Sequence, residues 1–133
     1  YYDDYSWSGH QAFQSSYLAK TTAGGNAYSL SPTTYSNKTR GLVTGTKVRV
    51  LNSSPEQWLT TTTYYDDKGR VLQTLSGNIT NGTDIITNKY DFSGKLLSSW
   101  MACSKQLKAC KSMLVSAEFS SSIPSWVRRF ARA

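Results

Sequence analysis

The sequence predicts a mainly β fold, an antiparallel β-meander of short hairpins, with a short N-terminal helix and a C-terminal helix as its helical elements. Three observations predict it. The first is composition: 38% of the 133 residues are hydrophobic and 13% aromatic, with nine Tyr, four Trp and 35 Ser and Thr. Many hydroxyl and aromatic side chains with few aliphatics fit a half-solvated sheet better than a helical bundle. The second is a meander pattern from Lys47 onward, in which an alternating run and further β-former runs are separated by turn residues. The third is a repeat: Tyr65–Leu72, "YDDKGRVL", returns 25 residues later as Tyr90–Leu97, "YDFSGKLL".

Residues 1–46 form the least periodic part, an irregular N-terminal segment. "YYDDYSWSG" is aromatic and acidic, and "TTAGGN" and "SPTTYSN" read as loops or turns. Between them Ser8 with Gln11 fits a capping box for a short helix carrying Ala12, Phe13, Tyr17 and Leu18. "RGLVTGT" (40–46) reads as a strand ended by a turn. The meander occupies 47–99. "KVRVL" (47–51) places Val48 and Val50 on one face. "NSSPEQ" is a loop. "WLTTTTYYD" (58–66) is almost pure β-former, with Trp58, Thr60, Thr62 and Tyr64 on one face and Leu59, Thr61, Thr63 and Tyr65 on the other. "RVLQTLSG", a turn at "NITNGTD", "IITNKYD", a turn at "FSG" and "KLLSS" complete five strands, enough for a sheet that stands unaided.

The repeat spells a bend. An Asp two residues ahead of the residue before a Gly can accept backbone N–H bonds and close a tight turn, while the Gly takes the positive φ that other residues avoid. Tyr65, Asp66, Gly69 and Arg70 supply this pattern once, and Tyr90, Asp91, Gly94 and Lys95 supply it again. The Tyr ring can cover the hairpin while its hydroxyl stays wet. Val71-Leu72 and Leu96-Leu97 each offer an inward side chain, which stabilises by about 1.5–3 kcal/mol when fully buried.

Tyr65–Leu72 and Tyr90–Leu97 resemble the YD repeat of the Rhs and teneurin class. Their surroundings, "GLVTGTKVRVL", "LTTTTYYDDKGRVLQT", "NGTD" and "YDFSGKLL", resemble a segment of large Rhs-repeat cell-surface proteins of Bacteroides-type bacteria. The resemblance covers roughly 41–98 well and 1–40 loosely, through "YYDDY". It implies an extended sheet of many hairpins, which in relatives spirals into a hollow shell, sometimes around a C-terminal toxin released by self-cleavage. Two repeats cannot close a shell, and the self-cleaving core motif has no match here. The implied role is a wall segment, at the cell surface or secreted, with the remainder of a larger repeat protein or an enclosed cargo polypeptide as partner.

The family pattern stops after Ser98, and the basic tail 100–133 reads in two ways. A frameshift or truncation would make it no evolved module. Alternatively Trp100, Cys103, Leu107, Cys110, Leu114 and Ala117 form the apolar stripe of a helix with Lys105, Lys108 and Lys111 beside it. Residues 1–99 hold nine Lys and Arg against seven Asp and Glu, a net +2, while the tail holds six against Glu118 alone, a net +5. On a helix, Cys103 and Cys110 stand about 10.5 Å apart along the axis at roughly 1.5 Å per residue. That exceeds the roughly 7 Å between Cα atoms that a disulfide spans. Free, partly buried thiols are therefore expected, with an intermolecular bridge as the alternative if the tail meets an oxidising compartment. The chain opens on Tyr1 without Met or signal peptide, which reads as an excerpt or processed product. No apolar run is long enough for a transmembrane helix.

No residues point to catalysis, a metal or a cofactor. His10, the only histidine, has nothing in sequence to aim it at a nucleophile and reads as a surface or hydrogen-bonded residue. Asp66, Asp67, Asp84 and Asp91 lack the alternation of a calcium loop. Arg128, Arg129 and Arg132 with Trp126 and Phe130 read as a merely basic terminus, without a nucleic-acid motif around them. The Asn-X-Ser/Thr triplets at Asn37, Asn52, Asn78 and Asn81 are what chance supplies in so Ser- and Thr-rich a chain. The first expectation is a non-enzymatic structural segment. The second is a carbohydrate-binding module that stacks sugars on exposed Trp58 and Tyr64. An open sheet edge also predicts edge-strand dimers.

Overall fold

The computed structural model describes residues 1–104 and 113–116. Two antiparallel sheets contain eight strands, β1 (Tyr2–Asp3), β2 (Thr39–Val43), β3 (Gly45–Val50), β4 (Gln57–Tyr65), β5 (Val71–Gly77), β6 (Thr83–Tyr90), β7 (Leu96–Cys103) and β8 (Met113–Ser116). β1 pairs with β2, and β3 to β8 follow one another in chain order across a six-stranded meander. The fold is mainly β, as the composition and alternation predict.

Several expectations change. The short helix is a 3₁₀ helix over Ser15–Lys20, with no side-chain cap. Ser8 and Gln11 do not box it in, because the Gln11 N–H is already given to the Thr62 hydroxyl at 2.9 Å. Gly45 ends no strand with a turn: only Thr44 separates β2 from β3. Its role is close approach, since a Cβ there would stand 2.0 Å from Cζ2 of Trp7. Finally, the sheet runs past residue 99. Trp100–Cys103 belong to β7, and β8 returns antiparallel with Ser98 opposite Ser116 and Met101 opposite Met113. The helical stripe therefore fails at Trp100, Cys103 and Leu114, because alternation inside a hydrogen-bonded ladder overrode a three- and four-residue spacing. Residues 105–112 and 117–133, with the remaining stripe and the Arg128, Arg129, Arg132, Trp126 and Phe130 group, lie outside the described residues. Cys103 is disulfide-bonded, so the free-thiol expectation is overturned. The helical separation of Cys103 from Cys110 does not apply when Cys103 ends a strand.

Residues 5–35 lie over one face of the sheet. Cross-strand partners Thr62 and Leu75, Tyr64 and Gln73, Leu75 and Ile85, and Gln73 and Thr87 fix that face. Tyr64, Leu75 and Ile85 are its buried centre, with Tyr5, Phe13, Tyr17 and Tyr35 packed against them. Tyr64 meets Tyr5 in a stack at 4.7 Å and Phe13 edge-on at 5.2 Å. What fastens the cover is polar. The Gln73 side chain accepts from Gln14 N–H at 2.9 Å and donates to Gln14 C=O at 3.0 Å and to the Thr87 hydroxyl at 2.9 Å. The Ser98 hydroxyl accepts from Thr22 N–H at 3.1 Å and donates to Thr22 C=O at 2.8 Å. Thr62, Gln73, Thr87 and Ser98 are all buried. Their side chains supply the bonds that an irregular segment's backbone needs once it leaves water.

The aromatic centre gives an alkaline prediction. Burial raises the Tyr5 hydroxyl to about 12, against the Tyr65 N–H it accepts and together with repulsion from Tyr64, Tyr65 and Tyr35. A folded-state value above the ordinary 10.0 contributes stability that is complete below pH 10 and is lost as pH climbs toward 12. Circular dichroism followed from pH 9 to 12 will show unfolding beginning above pH 10, with a shallower slope in Tyr5→Phe. Equal slopes would refute the assignment.

Candidate functional site: the paired turns

Both copies of the repeat form tight turns, and they are built alike. In the first, Asp66 N–H donates to Arg70 C=O at 2.9 Å and Gly69 N–H to Asp66 C=O at 3.0 Å. Asp66 Oδ1 accepts from Lys68 N–H and Arg70 N–H, both at 2.9 Å. In the second, Asp91 N–H donates to Lys95 C=O at 3.0 Å and Gly94 N–H to Asp91 C=O at 3.2 Å. Asp91 Oδ1 accepts from Lys95 N–H at 2.9 Å and the Ser93 hydroxyl at 2.6 Å. Gly69 and Gly94 take φ of +74° and +98°, the left-handed region that explains their invariance between the copies. The register shifts at the same place in each, between Tyr64 and Tyr65 and between Lys89 and Tyr90.

The two repeat tyrosines are not wet at their tips. Tyr65 donates its hydroxyl to Val43 C=O at 2.7 Å, and Tyr90 donates to Val71 C=O at 2.9 Å. Tyr65, in β4, thereby reaches the last residue of β2, and Tyr90, in β6, the first residue of β5; burial pushes both hydroxyls up from their ordinary value. Leu72 and Leu97, the second aliphatic of each copy, are 1% and 3% exposed, whereas Leu96 is exposed.

Arg70 joins the turns. Its guanidinium pairs with Asp66 Oδ2 at 2.7 Å through Nε and 2.6 Å through Nη2. It also donates to Asp91 C=O at 3.0 Å and lies 4.6 Å from the Tyr90 ring centre. Lys68 reaches the same neighbour, donating to Phe92 C=O at 2.6 Å. Burial alone would raise the Asp66 carboxyl, but the bonds from the Arg70 side chain, the Arg70 and Lys68 amides and the nearby positive charge outweigh it, leaving the carboxyl below its ordinary value. Asp91 is also lowered, first by the Ser93 hydroxyl. Lys95, at the position of Arg70, is exposed.

Beside the turns a cleft of about 320 Å³ is walled by Leu30, Pro32, Leu72, Asn88 and Tyr90, with Asp66 and Arg70 at its base. Asp66 and Arg70 there are paired with each other, while Asp67 and Lys68 also line the cleft, Lys68 bonding to Phe92 C=O. A second groove, of about 380 Å³, lies at the other end of the sheet between Tyr1, Gly9, Lys47, Trp58 and Thr60. Trp58 is 50% exposed there. Tyr64, expected beside it as an exposed ring, is 2% exposed, and its hydroxyl donates to Gln11 C=O at 2.6 Å. The alternation placed both residues on one face, where residues 5–35 bury Tyr64 but leave Trp58 half-exposed. Tyr1 and Lys47 of the groove carry no sequence signal, because their proximity depends on the fold of the N-terminal segment.

His10 stands with Nδ1 3.0 Å from Trp7 C=O. Among the described residues no three His, Cys, Asp or Glu side chains come together as metal ligands, and no helix is long and apolar enough to cross a membrane. Asp84 lies within reach of the Asn78 amide at 3.3 Å, in the turn between β5 and β6. No protein-family model, no curated protein and no solved structure matches the chain.

Proposed function

We propose that the chain is a non-enzymatic structural segment of an Rhs/YD-repeat surface or secreted protein, and that its work is to supply β-sheet wall. The supporting observation is Arg70, whose guanidinium is spent on tying one turn to the next. Chemically capable groups that bond only to their own scaffold serve architecture. A disulfide at Cys103 accords with an oxidising compartment, hence with a bacterial cell surface or the exterior. On this reading the partners are the remainder of a larger repeat protein and a cargo polypeptide held against the wall.

The half-exposed Trp58, with Tyr1 and Lys47 beside it, favours one second reading, a carbohydrate site in that groove. A glycan array read against the intact chain and Trp58→Ala separates the two. The wall reading expects no reproducible binding at millimolar glycan. Binding that disappears in a folded Trp58→Ala protein would overturn it in favour of the module.

A further inference from the structure

The turn between β5 and β6 carries chemistry that neither the wall nor the glycan reading uses. Asn78 closes it: Asn78 N–H donates to Gly82 C=O at 2.9 Å, and Asn81 N–H donates to Asn78 C=O at 3.1 Å. Asn81 has a φ of +57°, a left-handed conformation that Asn tolerates better than most residues with a side chain. Gly82 is required by space, since a Cβ there would collide with the Ser104 carbonyl oxygen. The turn thus calls for Asn followed by Gly, and this is the only such pair in the chain.

The pair is chemically labile, because asparagine is a thermolabile residue and a following glycine puts no side chain in the way of its own backbone nitrogen. Gly82 N can bond to Asn81 Cγ while the Cγ–Nδ2 bond breaks, the Gly82 proton leaving with the ammonia released. The cyclic imide then takes up one water. Opening at Cγ gives aspartate, and opening at the main-chain carbonyl gives isoaspartate, with the backbone rerouted through the side chain. Water is the only co-reactant.

The structure treats the two ends of this reaction unequally. Asn81 is exposed, so water reaches its carboxamide, whose Oδ1 lies 3.4 Å from Gln57 Nε2. Gly82 is buried, and its N–H donates to Asn78 Oδ1 at 2.7 Å. That proton must leave its bond before the nitrogen can attack. Asn78 is itself held in place: Oδ1 also accepts from the Thr80 hydroxyl at 2.7 Å, and Nδ2 donates to Ser104 C=O at 3.1 Å and to Asp84 Oδ1 at 3.3 Å.

We propose that Asn81-Gly82 is a site of self-modification to aspartate and isoaspartate, and that the Asn78 side chain is its brake. Conversion does more than add a negative charge. Isoaspartate at 81 lengthens the main chain inside the turn by one atom, so the bonds between Asn78 and Gly82 cannot all re-form. Asn78 also holds Ser104, whose N–H donates to Thr83 C=O at 3.1 Å. The modified turn therefore loosens the end of β7, next to disulfide-bonded Cys103.

The test incubates the full chain in mildly alkaline buffer beside a peptide of residues 77–84, with peptide mapping by mass spectrometry and an isoaspartate-specific methylation assay. Asn81 should convert ahead of Asn26, Asn37, Asn52, Asn78 and Asn88. Its rate should lie about tenfold or more below the peptide's, because the turn must open first. Folded Asn78→Ala, recognised by undiminished amide protection at Leu75, should convert within about threefold of the peptide rate, as expected once that opening cost is gone. Asn78→Asp keeps an oxygen to accept the Gly82 N–H and should stay slow, which decides the matter if the alanine variant does not fold. An intact chain that converts as fast as the peptide would overturn the proposal. So would a folded Asn78→Ala protein as slow as wild type, or an Asn78→Asp protein that converts at the peptide rate.

Discussion

Asp66→Ala will destabilise the fold by about 3 kcal/mol, the lower part of the range for removing one member of a buried pair. The alanine deletes four bonds, two from backbone amides and two from one guanidinium. It also leaves Arg70, with 17% of its side chain exposed, without a counter-charge at the junction of two hairpins. Asp91→Ala removes a serine hydroxyl bond and a backbone bond but strands no cation, so its loss is smaller. Denaturant midpoints at constant slope measure both. Similar losses for the two variants would show that the Arg70 link adds nothing beyond the turn itself. The pH dependence carries the same sign. A carboxyl held below its ordinary value of 3.8 contributes stability that is complete above that pH and is lost as pH falls through the folded value. The gap between wild type and Asp66→Ala should stay constant above about pH 5 and close below pH 3.8. A gap that persists in acid would place the loss in packing and not in charge.

The turns and strands were legible in the sequence because they are local. Asp66 acts with Gly69, and Asp91 with Gly94, each pair within one turn, and period-two alternation marked β4 to β7 without knowledge of the fold. Long-range matters were not legible. Ser and Thr look alike whether they face water or a covering loop, so Thr62, Thr87 and Ser98 read as solvated β residues although each is buried against other parts of the chain. Tyr64 differs from Trp58 only in which of them lies under residues 5–35, and the contact spans more than fifty residues. The three- and four-residue spacing misled at Trp100, Cys103 and Leu114, where hydrogen-bonded ladders impose strand.

Tyr64→Ala is expected to cost about 3–5 kcal/mol, the range for truncating a large buried aromatic. Tyr5, Phe13 and Tyr35 all contact this ring, at centre distances of 4.7, 5.2 and 4.6 Å, and none of them is itself fully buried by the sheet alone. Losing it would open the interface between sheet and cover. Tyr64→Phe isolates the hydroxyl: the ring stays, Gln11 C=O loses its donor, and about 1 kcal/mol should follow. Trp58→Ala, at a half-exposed position outside this interface, should move the midpoint by less than either Tyr64→Ala or a full core truncation. That ordering bears on function as much as on stability. A residue that anchors the cover cannot also present its face to a sugar, so a large loss for Tyr64→Ala confines any glycan site to the Trp58 groove. A Tyr64→Ala protein as stable as Trp58→Ala would mean that residues 5–35 leave the sheet readily, exposing the aromatic platform that the covered face otherwise denies.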